Sequence, residues 1–169
     1  MDMKSSVLDG KKILTVDDEA DVLNVLEEEI MGACPNCKIE KATTFDAAAK
    51  KLESQTYDVV ILDIMGVRGF DLLDLAVSRR MKVAMLTSHA LNPEALKRSF
   101  DMKARAYLPK DKLGEIVPFL EDVLTYEFLP GWKVLFKKLG TLFETWKDKS
   151  GYNYYKDLRK KLDIDKFDD

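Results

Sequence analysis

Over the first 126 positions, apolar residues come in short runs separated by longer stretches of mixed character. Lys12-Ile13-Leu14-Thr15-Val16, Lys38 to Ala42, Val59-Val60-Ile61-Leu62, Val83-Ala84-Met85-Leu86 and Ala104 to Leu108 are each strand length. The stretches between them have helical spacing. Val22, Leu23, Val25, Leu26 and Ile30 predict a helix from Ala20 to Met31, stopped at Gly32. Thr44 can cap a helix from Phe45 to about Ser54. Gly69 precedes a helix from Phe70 to about Arg79. Asn92-Pro93-Glu94 reads as an N-cap, a proline in the first helical position and a first-turn acid, opening a helix to about Asp101. A fifth helix is expected from Leu113 to about Tyr126.

Five strand–helix units with short connections predict a parallel sheet covered by helices on both faces. The expected architecture is a flavodoxin-like, doubly wound five-stranded α/β sheet of order 2-1-3-4-5. Pro130-Gly131 marks a break, which gives a domain at 1–126 and a helical C-terminal extension at 127–169. From Trp132 onward, Leu135, Phe136, Leu139, Leu142, Phe143 and Trp146 fall on one helical stripe. So much apolar surface must be covered. Three destinations stay open: the domain's own surface or a second tail helix near Tyr154 to Leu162, a dimer or partner protein, and a membrane surface.

Charge narrows the function. The chain of 169 residues carries a net charge of −3. Residues 1–125 hold 17 basic and 22 acidic side chains, a net −5, and the tail holds 10 and 8, a net +2. The tail is short for a winged-helix output domain and has no concentrated basic recognition helix, so direct DNA binding is not expected. No apolar run is long enough to span a membrane, and the first ten residues do not resemble a signal peptide. A cytoplasmic location is expected, consistent with two cysteines in a reducing compartment. Cys34-Pro35-Asn36-Cys37 has metal or redox spacing. The chain lacks further cysteines and has one histidine, His89, so a four-ligand zinc site is not expected.

The reactive side chains stand at strand ends. Strand one ends at Asp17-Asp18-Glu19, strand three at Asp63, strand four at Thr87-Ser88 and strand five at Lys110. In the expected order these strands are consecutive neighbours, roughly 4.8 Å apart, so their ends converge on one crevice. Asp17, Asp18 and Asp63 repel one another there unless a cation binds. A hard, oxygen-preferring ion such as Mg²⁺ suits three carboxylates. Asp63 can act as a carboxylate nucleophile, Lys110 as a mobile point charge for phosphoryl oxygens, and Thr87 as a hydroxyl donor.

Val16-Asp17-Asp18-Glu19, Ile61-Leu62-Asp63-Ile64-Met65, Leu86-Thr87-Ser88 and Tyr107-Leu108-Pro109-Lys110 resemble the motifs of response regulator receiver domains of the chemotaxis-regulator type. The resemblance covers about residues 11 to 126. It implies that Asp63 accepts a phosphoryl group from a sensor histidine kinase or a histidine phosphotransfer protein. It implies Mg²⁺ held by Asp18, Asp63 and the backbone carbonyl of Met65, with Asp17 helping through water. It also implies Thr87 and Tyr107 as the switch pair and Lys110 as the phosphate-sensing lysine. The sequence departs from the family in one loop. Asp63-Ile64-Met65-Gly66-Val67-Arg68-Gly69 is shorter than usual and lacks the Met-Pro pair.

The expectation is therefore a single-domain response regulator, not an enzyme beyond self-directed phosphotransfer and autodephosphorylation. Its output is expected through protein contacts with an unknown downstream protein, and homodimerisation through the fourth helix, fifth strand and fifth helix or the tail is one route. The alternatives are a phosphorylation-independent adaptor and a relay intermediate that passes phosphate to a histidine protein.

Overall fold

The structure, a computed structural model, describes residues 6–88, 92–143 and 154–162. Its central sheet has five parallel strands: β1 (Lys12–Val16), β2 (Lys38–Ala42), β3 (Val59–Asp63), β4 (Lys82–Thr87) and β5 (Ala106–Pro109), in the order β2-β1-β3-β4-β5. β3 is buried at every position, as a β-branched run at the centre of a two-sided sheet should be. β2 is an edge strand, and Ala42 alone in it is buried.

The connecting helices are α1 (Ala20–Ala33), α2 (Phe45–Ser54), α3 (Gly69–Ser78), α4 (Pro93–Asp101) and α5 (Ile116–Thr125). α1 buries Val22, Leu23, Leu26 and Ile30 of the expected stripe, while Val25 faces outward. Thr44 accepts a hydrogen bond from Ala47 N at 3.2 Å and Asn92 from Ala95 N at 3.0 Å, so both expected caps are formed. Right-handed crossovers put α1 and α5 on one face of the sheet and α2, α3 and α4 on the other.

Several boundaries differ from the sequence reading. β5 begins at Ala106, because the N–H of Ala104 is used to close α4 on Ser99 O at 2.9 Å. A 3-10 turn, Lys110–Glu115, precedes α5 where α-helix was expected from Leu113. Pro130-Gly131 is not the break. The chain turns at Tyr126, which is extended, and a sixth helix, α6 (Phe128–Phe143), already contains the pair in its first turn. A proline there loses no helical hydrogen bond, since first-turn N–H groups have no intrahelical acceptor.

α6 packs on α5 and β5, and a seventh helix, α7 (Tyr154–Leu162), packs on α4 and α6. Trp132, Leu135, Phe136 and Leu139 are all buried, as is Leu158 of α7. Trp132 donates its indole N–H to Ala104 O at 2.9 Å. Its ring meets Phe100 of α4 at 5.3 Å and Phe136 at 5.6 Å between centroids, both edge-on. Such pairs each add about 0.5–1.5 kcal/mol beyond their buried area. Of the three destinations left open for the apolar stripe, the described part of the tail takes the chain's own surface. The side chains of Leu142 and Phe143, and all of Trp146, lie outside the described residues, as does His89.

Candidate functional site

The register of the sheet assembles the crevice. Val16 pairs with Leu62, Asp63 with Leu86, and Thr87 with Pro109, so Asp17, Asp63, Thr87 and Lys110 follow one another along the carboxyl edge. Asp17 is completely buried, Asp63 is 3% exposed, and Asp18 points to solvent. One carboxylate oxygen from each of the three lies within 4.8 Å of the others. Among the described residues this is the cluster of acids, cysteines or histidines with metal-holding geometry.

Lys110 reaches across the crevice. Its ammonium lies 2.7 Å from Asp17 Oδ2 and 3.1 Å from Asp63 Oδ1. The other Asp17 oxygen accepts the backbone N–H of Glu19 at 2.9 Å, which orients it at the turn into α1. Burial pushes the Asp63 carboxyl up to about 6, the Asp17 charge adds to that, and Lys110 works against it. Asp17 is likewise raised by burial, with Lys110 opposing. Burial disfavours the Lys110 cation, but the two carboxylates outweigh it and leave its pKa above the ordinary lysine value. The site is thus a pair of buried acids sharing one cation, an arrangement with charge to spare for a second.

The short loop after Asp63 closes over this cluster through its glycines. Ile64 N continues the ladder to Leu86 O at 3.0 Å, and Gly69 N returns to Ile64 O at 3.1 Å. Gly66 has φ +84°, and a β-carbon on it would lie 2.5 Å from Asp18 Oδ2. A β-carbon on Gly69 would lie 2.1 Å from the backbone oxygen of Asp63. No other residue type fits either place without displacing the acids. The Met65 side chain stands out into solvent in the same loop, 66% exposed.

Thr87 is buried at the end of β4, and Tyr107 is completely buried in β5. Burial holds the Tyr107 hydroxyl up to about 12, and a side-chain hydrogen bond from Thr87 pulls the other way. The same hydroxyl lies 3.4 Å from the carbonyl of Asn92, a long contact that ties it to the N-cap of α4. The family resemblance already paired Thr87 with Tyr107. It gave no sign that Asn92, read as a helix cap, also meets Tyr107.

The cysteine pair has no place in this site. Cys34 and Cys37 are buried, free thiols, and Cys37 donates to Leu8 O at 2.9 Å. Burial, with Cys34 beside it, pushes the Cys37 thiol up to about 12, which makes it a poor thiolate and a poor ligand. No helix among the described residues is long and apolar enough to cross a membrane.

Comparison with known proteins agrees with the geometry. The sequence has no match among curated proteins. A receiver domain protein of chemotaxis type from Methanospirillum hungatei is 27% identical, with a TM-score of 0.56, covering 66% of this chain and 94% of that one. The Vibrio cholerae chemotaxis protein CheY4 is 23% identical with a TM-score of 0.60, covering 68% of this chain and 98% of that one. The Thermotoga maritima response regulator DrrB, an OmpR/PhoB homologue, is 22% identical with a TM-score of 0.60, covering 70% of this chain, and this chain spans 57% of its length. The low identities carry the fold alone, but residues 13–120 match the response regulator receiver domain family itself. That match runs from Ile13 in β1 through β5, holds every acid of the crevice, and covers well over half of the chain: the protein belongs to the response regulator receiver domain family, a family of two-component signalling domains.

Proposed function

We propose that Asp63 is the phosphoryl acceptor of a single-domain response regulator. The observation that carries this reading is the cluster of Asp17, Asp18 and Asp63 with Lys110 bridging two of its members. An Asp63 carboxylate oxygen attacks the phosphorus of a phosphohistidine on a histidine kinase or phosphotransfer protein. A phosphorus–oxygen bond forms, the phosphorus–nitrogen bond breaks, and the imidazole leaves with the electron pair.

The three carboxylates fit a hard divalent cation: Asp18, Asp63 and the Met65 carbonyl would hold Mg²⁺ directly, with Asp17 helping through water. When bound, Mg²⁺ neutralises the phosphoryl oxygens during transfer. Lys110 gives up one carboxylate partner and follows the new anion. Thr87 turns its hydroxyl to the same oxygens and leaves Tyr107 with a changed partner. Because Tyr107 also reaches Asn92, that change is felt at the start of α4.

α6 and α7 lie on α5, β5 and α4, so the tail is the first structure the switch meets. A homodimer through α4, β5 and α5 requires the tail to leave that face. The adaptor reading drew on the short loop alone, and Gly66 and Gly69 let that loop close beside the acids. The relay reading differs in where the phosphate goes next, and transfer from the phosphorylated protein to histidine phosphotransfer domains separates it. The test of the main reading is the intact mass of the chain after incubation with Mg²⁺ and acetyl phosphate. A single phosphate adduct on the native chain and none on Asp63→Asn is expected. No adduct on the native chain, or an equal one on the variant, removes Asp63 from the role.

A further inference from the structure

At the opposite end of the sheet from Asp63, the amino ends of β4 and β5 and the carboxyl ends of α3 and α4 border an open groove of about 450 Å³. Arg80, Lys82, Lys103 and Arg105 line it, with Val77, Met81 and Phe128 as its apolar wall, and no carboxylate is among the described lining residues. Arg80 and Lys82 also border an adjoining space of about 530 Å³ beside β1, where Lys11 adds a further cation. The acid there, Asp58, is engaged with the backbone N–H of Lys12 at 2.8 Å. This concentration of positive charge lies on a domain whose residues 1–125 sum to −5, so it is not a by-product of composition.

Part of the cluster has a structural explanation. Lys82 Nζ reaches Leu124 O at 3.4 Å and Arg105 Nη1 reaches Tyr126 O at 3.1 Å, so both tie down the end of α5. Cations at helix carboxyl ends also complement the helix dipole. Arg80 and Lys103 are different. They hold left-handed backbone, φ 64° and 72°, one residue past the caps of α3 and α4. Met81 N bonds Ala76 O and Ala104 N bonds Ser99 O, each at 2.9 Å, the closing bonds of a motif that normally places glycine where Arg80 and Lys103 stand. A β-carbon in that conformation costs more than an exposed cation at a helix end returns. Lys103 Nζ lies 4.8 Å from the centroid of the Phe128 ring, which holds it at the groove. Arg80 has no carboxylate partner among the described residues.

We propose that this groove binds a phosphorylated small molecule. A di- or triphosphate group sits between Arg80, Lys103 and Arg105. The two guanidinium groups suit bidentate contact with phosphate oxygens, and the lysine adds a point charge. The organic part lies against Phe128, Val77 and Met81, in a space of the size that small ligands occupy. Phe128 belongs to α6, so the ligand bridges the receiver and its tail, and ligand binding and tail docking strengthen one another. The inference is independent of phosphorylation at Asp63.

The test is calorimetric titration of the full chain, without Mg²⁺, with inorganic pyrophosphate and with ADP. The native chain is expected to bind both, ADP more tightly, with affinity falling as salt rises. The double variant Arg80→Gly/Lys103→Gly removes two cations and also relieves the backbone, so its melting temperature without ligand should not fall. Its affinity should drop by about tenfold for each charge-assisted bond lost. Lys137→Gln, on the exposed side of α6, should leave binding unchanged. Absence of binding at millimolar probe overturns the proposal. So does an equal loss in Lys137→Gln, which would mean diffuse charge attraction. A glycine variant that melts lower while binding as before would make Arg80 and Lys103 purely structural and would overturn it too.

Discussion

Replacing Asp63 by asparagine should make the protein more stable, by an amount that depends on pH. The carboxyl of Asp63 stands at about 6 against an ordinary 3.8, raised first by burial and then by Asp17. A raised carboxyl pKa means that the folded state binds the proton more tightly than the unfolded chain. Stability from this group is therefore complete below 3.8 and is lost as pH rises toward 6. Above 6 the full cost of holding a buried carboxylate is present, about 3 kcal/mol at 1.36 kcal/mol per pKa unit. Asp63→Asn keeps the shape and removes the charge. In urea melts without Mg²⁺ it should gain about 3 kcal/mol at pH 7.5 and about half of that at pH 5. For a chain of this size the first figure is a rise in melting temperature of roughly 6–12 °C. A variant no more stable than the native chain at pH 7.5, or one with the same gain at both pH values, would refute the reasoning, because neither is compatible with a buried, repelled carboxylate.

Other expectations follow from the same geometry. Lys110→Met leaves Asp17 and Asp63 without their shared cation and should cost about 1–3 kcal/mol in urea melts at pH 7.5, with part of the loss recovered at pH 5 where Asp63 takes a proton. Gly69→Ala drives a β-carbon into the Asp63 backbone and should cost about 2–4 kcal/mol by the same melts, with phosphate uptake lost alongside. Trp132→Ala opens a cavity under α6 and removes the bond to Ala104, a loss of about 3–5 kcal/mol. Limited proteolysis of that variant should cut near the start of α6 first, and an unchanged cleavage pattern would argue against tight docking of the tail.

What the sequence reveals of this protein follows from which constraints are local. The strand-end acids, Thr87 and Lys110 are legible because a parallel βα sheet carries the residue after each strand to one edge. The stripe Trp132, Leu135, Phe136 and Leu139 is legible from its spacing. What covers it is not, because Phe100 and Ala104 lie some thirty residues away and meet it only in the fold. Pro130-Gly131 misled for a local reason: the pair is a breaker inside a helix but harmless in a first turn. The need for glycine at 66 and 69 arises from contact with Asp18 and the Asp63 carbonyl, which the shortness of the loop and its missing proline do not reveal. Arg80 and Lys103, two of the three basic residues in left-handed backbone, gave no sequence signal, since glycine was the residue to look for past a helix end.

The central claim is that Asp63 carries the phosphoryl group, and trapping the acyl phosphate tests it most directly. Borohydride reduces an aspartyl phosphate to homoserine, which survives digestion and can be located by peptide mass spectrometry. After treatment with Mg²⁺ and acetyl phosphate, homoserine at position 63 and at no other aspartate is the expected result. Homoserine at Asp17 or Asp18, or at none of the three, would contradict the account.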